Sequence, residues 1–101
     1  MRLRYLRHNL GIAVKCGGNH GSAASSIQDG MVIDMRELNA VVINNATNSI
    51  TIGGGCRWAD VYSALKTTDR ICVGGGVHVV GVGGHLTGGE SNFLSARYGV
   101  V

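Results

Sequence analysis

The chain has 101 residues, of which 45% are hydrophobic and 15% charged, a composition typical of a globular protein rather than a disordered one. It contains 17 glycines and no proline, and its formal net charge is +3. The glycines cluster instead of recurring at every third position, which excludes collagen. The mild charge and scattered aromatic residues also argue against nucleic-acid binding, which needs a basic stripe with stacking aromatics.

Other classes of site are also disfavoured by the sequence. The three cysteines are odd in number and show no CxxC spacing, which argues against a disulfide framework and a zinc ribbon. His20, His78 and His85 lack the close spacing of known metal-ligand sets, so no metal site is predicted. Neither a secretory signal nor an apolar run long enough to span a membrane is recognisable, and the compartment is left open.

The first half of the chain predicts one helix and four strands. Leu3, Leu6 and Leu10 recur at helical spacing and predict a short amphipathic helix. Residues 12–14 and 31–34 predict two strands, separated by a loop rich in glycine and serine. Residues 40–43 and 49–52 predict a hairpin, because the five residues between its strands are typical of turns.

The second half predicts a helix, a short strand and a final helix. Trp58, Val61, Tyr62 and Leu65 lie at helical spacing and predict a buried stripe, while Asp60 suits the positive helix start. Residues 71–73 predict a strand, residues 91–97 a short helix, and residues 99–101 the start of another strand. Alternation of helices and strands predicts an α/β or α+β fold in one domain, residues 1–101, whose two ends both look cut from a larger protein.

Two glycine-rich loops carry the candidate chemistry. The first covers residues 15–26 and the second covers residues 81–89. Small side chains allow successive backbone N–H groups to face one anion, and glycine lets the backbone touch a flat ring or a diphosphate. Neither GxGxxG nor GxxxxGK is present, so the dinucleotide fingerprint and the ATPase loop are not supported. From the residues alone, tight turns in a purely structural domain remain an equal alternative.

These motifs, in this order, resemble a known family. The segments Lys15-Cys16-Gly17-Gly18, Gly53-Gly54-Gly55-Cys56-Arg57-Trp58 and Gly81-Val82-Gly83-Gly84, with Ser95-Ala96-Arg97-Tyr98-Gly99, are similar to the FAD-binding domain of the vanillyl-alcohol oxidase and p-cresol methylhydroxylase (PCMH) superfamily. Within this superfamily, the motifs resemble those of the berberine-bridge-enzyme-like oxidases. The resemblance covers nearly the whole chain. It implies the first subdomain of a PCMH-type domain, a short mixed sheet with flanking helices and glycine-rich loops.

The resemblance also implies which residues bind FAD. The first loop would contact the diphosphate and flavin, and the second would line the ribityl chain and the ring. The predicted cofactor-binding residues from the first loop are Gly17, Gly18, Asn19, His20, Gly21, Ser25 and Ser26. Those from the second loop are Gly81, Val82, Gly83, Gly84, Gly88 and Gly89.

Three positions depart from the family pattern. Asn19 stands where many relatives carry a histidine bonded covalently to the flavin, with His20 one position later. Val77 stands where some relatives carry a cysteine that makes a second flavin bond. We therefore expect non-covalent FAD, with His20 as the candidate for a covalent bond. Glu90 replaces a third glycine, and because a diphosphate would repel its carboxylate, we expect it to face away or to weaken binding.

The resemblance implies part of an FAD-linked oxidoreductase. In such an enzyme hydride passes from a small organic substrate to the flavin, which oxygen reoxidises. No residue of this chain is expected to serve as catalytic base, because the family's catalytic residues would follow Val101. Two alternatives remain: a truncated, non-catalytic fragment that binds no flavin, and a simple nucleotide-binding module that uses residues 17–26.

Overall fold

The computed structural model describes residues 10–100 of the chain. The strands within this range are β1 (Ile12–Lys15), β2 (Met31–Asp34), β3 (Val41–Asn44) and β4 (Ser49–Ile52). The helices are α1 (Trp58–Leu65), α2 (Val82–Gly88) and α3 (Ser95–Tyr98), and one 3₁₀ turn covers Ala23–Ser25. The predicted α/β class, with short strands, flanking helices and glycine-rich segments, is confirmed.

Strands β1 and β2 form a parallel pair. Ile12 stands opposite Met31 and Lys15 opposite Asp34, so both strands end at the same edge. Ala13 is the buried residue of β1. The first glycine loop leaves β1 at this carboxyl edge, which is where α/β folds place their ligands.

Strands β3 and β4 form a separate antiparallel hairpin, in register from Val41 opposite Ile52 to Asn44 opposite Ser49. The side-chain oxygen of Asn44 accepts hydrogen bonds from the backbone N–H groups of Ala46 and Thr47, at 3.0 and 3.2 Å. Asn48 completes the turn with a φ of 52°, a conformation that asparagine tolerates better than most residues. The predicted hairpin is therefore confirmed, although its strands form a sheet of their own.

Helix α1 supplies most of the core. Trp58, Val61 and Leu65 are buried, and they pack with Cys56 and with Val82 at the start of α2. Tyr62, predicted in the same stripe, is half-buried, and its hydroxyl donates a 2.5 Å hydrogen bond to the carbonyl of Gly75. The hydrophobic face of the hairpin packs against this cluster. The helical spacing thus correctly indicated the buried face of α1.

The structure corrects three predicted elements. Residues 71–73 do not form a strand. They pair with no strand among the described residues, and Ile71 is 73% exposed. The second glycine segment is largely helical, since its residues from Val82 to Gly88 form α2. The last helix is shorter than predicted and spans only Ser95–Tyr98.

The predictions at the two ends fall mostly outside the described residues. The helix predicted from Leu3, Leu6 and Leu10 lies almost wholly within residues 1–9. Of the strand predicted at residues 99–101, Val101 is likewise outside, and residues 99–100 form no strand. Between residues 10 and 100, no helix is long and apolar enough to cross a membrane.

Candidate functional site

The two glycine segments meet at their first residues. The backbone N–H of Gly81 donates a 3.1 Å hydrogen bond to the carbonyl of Gly18, and Gly81 also forms an isolated antiparallel bridge with Arg57. Gly17 and Gly81 are both buried. A Cβ atom on Gly17 would lie 2.8 Å from the Cα of Gly81, closer than any side chain tolerates. Direct backbone packing therefore explains why both positions are glycine.

The side chain of Arg57 joins the same junction. Its Nε donates a 2.7 Å hydrogen bond to the carbonyl oxygen of Gly17, forty residues earlier in the chain. Its backbone is fixed at the start of α1, because the N–H of Arg57 donates to the Asp60 carboxylate at 2.7 Å. The start of α1 is thereby linked to the first glycine loop through one side chain.

Residues 18–21 of the first loop expose backbone donors. Gly18 and Asn19 have positive φ angles, 101° and 67°, so the chain turns sharply between Gly17 and His20. No described residue accepts a hydrogen bond from the N–H groups of residues 18–21. The loop thus carries several free N–H groups at one turn, as an anion-binding loop does.

The side chain of His20 is held by hydrogen bonds with Ser22, two residues later in the first loop. The backbone N–H of Ser22 donates to Nδ1 of His20 at 3.0 Å, and the Ser22 hydroxyl oxygen lies 3.1 Å from the same nitrogen. Further along the loop, the backbone N–H and the hydroxyl of Ser26 both donate to the carbonyl of Ala23, at 3.0 and 3.2 Å. The first loop is therefore ordered by its own short-range hydrogen bonds.

A cavity of about 70 Å³ lies between the two segments. It is lined by Val14, Cys16, Gly18, His20, Ser25, Gly81 and Gly84. Five of these seven residues belong to the set predicted to bind the cofactor, and they come from both glycine segments. Among the described residues, no carboxylate lines the cavity, so none of them would repel an anion there.

The other predicted residues lie around this cavity without lining it. Gly17 is buried behind the loop, and the side chain of Val82 is part of the core. A Cβ on Gly83 would lie 2.7 Å from Sγ of Cys16, so Gly83 packs against the end of β1. The remaining five are exposed on the described surface: Asn19, Gly21, Ser26, Gly88 and Gly89.

Three residues at the site are absent from the predicted set. Val14 and Cys16 line the cavity because they stand at the carboxyl end of β1. The sequence did indicate this position, because it predicts a strand at residues 12–14 and ligands of α/β folds bind at the carboxyl ends of strands. Arg57 carried no such signal, because its bond to Gly17 connects residues forty positions apart.

Glu90 lies beside a buried histidine instead of the cavity. Its Oε2 is 3.2 Å from Nδ1 of His85, whose side chain is 2% exposed. The carboxylate itself remains 69% exposed. Glu90 is not among the residues that line the cavity between the two glycine segments.

Ionisable groups at the edge of the parallel pair form a small cluster. Arg36 Nε donates to Asp34 at 2.8 Å, and Lys15 Nζ lies 3.7 Å from the same carboxylate. The hydrogen bonds from Arg36 lower the pKa of Asp34 below its ordinary value.

Burial raises the pKa of the thiols of Cys56 and Cys72, which disfavours their reactive thiolate forms.

A larger cavity, of about 630 Å³, lies beside α1. Tyr62, Leu65, Ile71 and Phe93 contribute to its mainly apolar lining. None of the residues predicted to bind the cofactor lines it. Across the described part of the chain, no group of three or more His, Cys, Asp or Glu residues could hold a metal ion.

Comparison with known proteins identifies similar sequences. The model of the family described as FAD binding domain matches residues 3–101. The chain is 38% identical over 89 residues to an FAD-dependent monooxygenase of Emericella nidulans, covering 87% of this chain and 19% of that protein. It is 34% identical over 95 residues to a berberine bridge enzyme-like protein of Nicotiana tabacum, covering 88% of this chain and 17% of that one.

A solved structure shares the fold. The crystal structure of 6-hydroxy-D-nicotine oxidase from Arthrobacter nicotinovorans superimposes with a TM-score of 0.89 at 29% identity. The match covers 97% of this chain and 22% of the oxidase. The chain therefore spans about a fifth of the length of the proteins that it matches.

Proposed function

The chain belongs to the FAD-binding domain family found in FAD-linked oxidoreductases, and from that premise we propose that it binds FAD where its two glycine segments meet. The cavity shared by both segments is the observation that carries this proposal. Its lining draws on Gly18, His20 and Ser25 from one segment and on Gly81 and Gly84 from the other. The resemblance seen in the sequence, to PCMH-type flavoproteins and berberine-bridge-enzyme-like oxidases, is confirmed.

The cavity suits one section of the cofactor rather than all of it. Its volume of about 70 Å³ is well below the roughly 300–1,000 Å³ of a typical ligand site. An anionic group is favoured for two reasons. Within residues 10–100, the N–H groups of residues 18–21 have no acceptor, and no carboxylate lines the cavity. We assign the diphosphate to the first segment, and the ribityl chain and ring to the second.

The residues of this chain would bind and orient the cofactor. FAD, when bound, supplies the capacity to accept hydride. For the whole protein, we propose that a small organic substrate donates the hydride and that oxygen reoxidises the flavin. The similar proteins include an FAD-dependent monooxygenase and an oxidase, and this supports a flavin-dependent redox reaction for the whole protein.

We propose that the FAD is held without a covalent bond. We infer from the family pattern that Asn19 and Val77 stand at the two positions where some relatives attach the flavin, and neither side chain can form such a bond. A covalent bond through His20 is the second candidate. One observation favours it: His20 lines the cavity and Asn19 does not.

The visible absorption spectrum of the purified chain, before and after acid precipitation, tests both points. Flavin bands with colour released into the supernatant are expected. Colour retained in the pellet, and lost in the His20→Ala variant, would establish the covalent alternative. A chain that stays colourless after incubation with FAD contradicts the proposal. In that case, titration with ADP shows whether the first loop binds nucleotides alone.

A further inference from the structure

We propose that Arg57 is the positioning residue that aims the backbone N–H of Gly18 at the phosphate groups of the cofactor. This inference rests on the proposed function, because it names a residue that prepares the same site. Arg57 does not line the cavity, so it acts through Gly17 and not by direct contact. Its role is to fix the orientation of one peptide group.

The backbone of Arg57 is anchored on both sides. Its N–H donates to the Asp60 carboxylate at 2.7 Å, and the residue forms an isolated bridge with Gly81. The carbonyl of Cys56, immediately before it, accepts a 2.8 Å hydrogen bond from the N–H of Val82. The side chain of Arg57 therefore extends from a fixed point between α1 and the second glycine segment.

From this point the side chain fixes the peptide between Gly17 and Gly18. Nε of Arg57 donates a 2.7 Å hydrogen bond to the Gly17 carbonyl, and Cγ of Arg57 would lie 2.8 Å from a Cβ on Gly17. In a planar trans peptide the carbonyl and the following N–H point in opposite directions. Because the Gly17 carbonyl faces Arg57, the N–H of Gly18 points away from it.

The N–H of Gly18 is available to a ligand. Gly18 lines the cavity, and no described residue accepts a hydrogen bond from its N–H. Gly18 has a φ of 101°, and a Cβ there would meet nothing within 4 Å, so no side-chain packing holds this residue. Without the bond from Arg57, this peptide could turn its carbonyl oxygen toward the anion.

Two neutral variants of nearly equal length separate the hydrogen bond from the charge. In Arg57→Gln, the side-chain NH₂ stands the same number of bonds from Cα as Nε of arginine, so the donor is kept and the charge is lost. In Arg57→Met, the length is kept but no donor remains. Affinity for FAD and for riboflavin, which carries no phosphate, is measured by fluorescence titration of the full chain.

We expect the Met variant to bind FAD roughly tenfold more weakly, and the Gln variant to stay within about twofold of the wild type. Riboflavin affinity should change by less than about twofold in both, because riboflavin has no diphosphate for Gly18 to bind. A Gln variant as weak as the Met variant would show that the charge matters and would overturn the proposal. An equal loss for FAD and riboflavin would overturn it too.

Amide hydrogen exchange in the ligand-free chain separates this proposal from the proposed function. The N–H of Gly81 donates to the carbonyl of Gly18, so it reports whether the loop is held. We expect faster exchange at Gly81 in the Met variant and wild-type exchange in the Gln variant. Unchanged exchange in the Met variant overturns the role of Arg57. Failure of the wild type to bind FAD would instead overturn the proposed function and leave the exchange result valid.

Discussion

Gly17 and Gly81 touch through their backbones. A Cβ on Gly17 would lie 2.8 Å from the Cα of Gly81, and a Cβ on Gly81 would lie 2.7 Å from the backbone nitrogen of Gly17. Both residues are buried, and the hydrogen bond from Gly81 to Gly18 lies next to the contact. The position of one glycine segment therefore determines that of the other, and with it the shape of the cavity.

Replacing Gly17 with alanine should open this junction. The new methyl group would collide with backbone atoms of Cys56 and Gly81, which cannot rotate away. We expect a loss of roughly 1–3 kcal/mol in the free energy of unfolding, together with loss of FAD binding. Chemical denaturation measures the first effect and fluorescence titration the second.

Gly21→Ala is the matched control, because a Cβ at Gly21 would meet nothing within 4 Å. Its free energy of unfolding should stay within about 0.5 kcal/mol of the wild type. A Gly17→Ala variant as stable as this control would contradict the close packing described above.

Replacing Gly84 with alanine should separate folding from binding. Gly84 lies in α2, and a Cβ there would meet nothing within 4 Å in the free chain. We expect the free energy of unfolding to rise by roughly 0.5–1 kcal/mol, because alanine favours a helix more than glycine does. FAD binding should weaken, because Gly84 lines the cavity and the methyl group would occupy cofactor space.

Ser63→Ala serves as the control for the Gly84 variant, since Ser63 is exposed on α1 and lines only the larger cavity. It should leave FAD affinity unchanged. If Gly84→Ala binds FAD as tightly as Ser63→Ala does, the cofactor does not approach Gly84.

The sequence predicted those parts of the fold that short-range patterns determine. The turn at Asn44 and Asn48 and the apolar stripe of Trp58, Val61 and Leu65 both depend on neighbours within a few residues. The prediction of a strand at residues 71–73 was wrong. These residues have a high β-propensity, but a strand also needs a neighbouring strand to pair with, and a local pattern does not reveal one.

Long-range packing could not be predicted. Three glycines disfavour a helix from Val82 to Gly88, at roughly 1 kcal/mol each. Tertiary contacts at the first residue of the helix outweigh this cost. Val82 is buried in the core, where it is 2% exposed, and its backbone N–H donates a hydrogen bond to the carbonyl of Cys56. At the site, the glycine patterns indicated both segments that line the cavity, whereas the bond from Arg57 to Gly17 left no trace in the sequence.

Cysteine labelling should report occupancy of the cavity. Cys16 lines it, Cys72 lines the larger cavity, and Cys56 is fully buried. FAD should slow the reaction of Cys16 with a thiol reagent and leave the rate at Cys72 unchanged. Cys56 should react only on unfolding, because burial shields it and raises its pKa. Mass spectrometry of the labelled peptides measures each rate, and equal protection of Cys16 and Cys72 would contradict the assignment.

Asp34 should make stability depend on pH in the acid range. Its pKa is lowered from 3.8, mainly by the hydrogen bonds from Arg36, so the ionised form stabilises the fold. That contribution is present above the ordinary pKa and is lost as the pH falls through the lowered one. Wild type should exceed Asp34→Asn in thermal stability at pH 7, and the difference should vanish below the lowered pKa.

Asp69→Asn is the control for the Asp34 variant, because Asp69 is exposed and pairs with no cation among the described residues. It should show no comparable difference from wild type at any pH. A difference between wild type and Asp34→Asn that persists into strong acid would contradict the role of the ionised carboxylate.

Titration of the ¹⁵N-labelled chain with FAD, followed by amide NMR, tests the central claim most directly. We predict that shifts concentrate at residues 18–21, at Ser25, and at Gly81 and Gly84. Amides around the larger cavity, at Tyr62, Ile71 and Phe93, should not move. Saturable shifts at both glycine segments would support the FAD site proposed here. Shifts confined to the larger cavity, or no shifts at all, would contradict it.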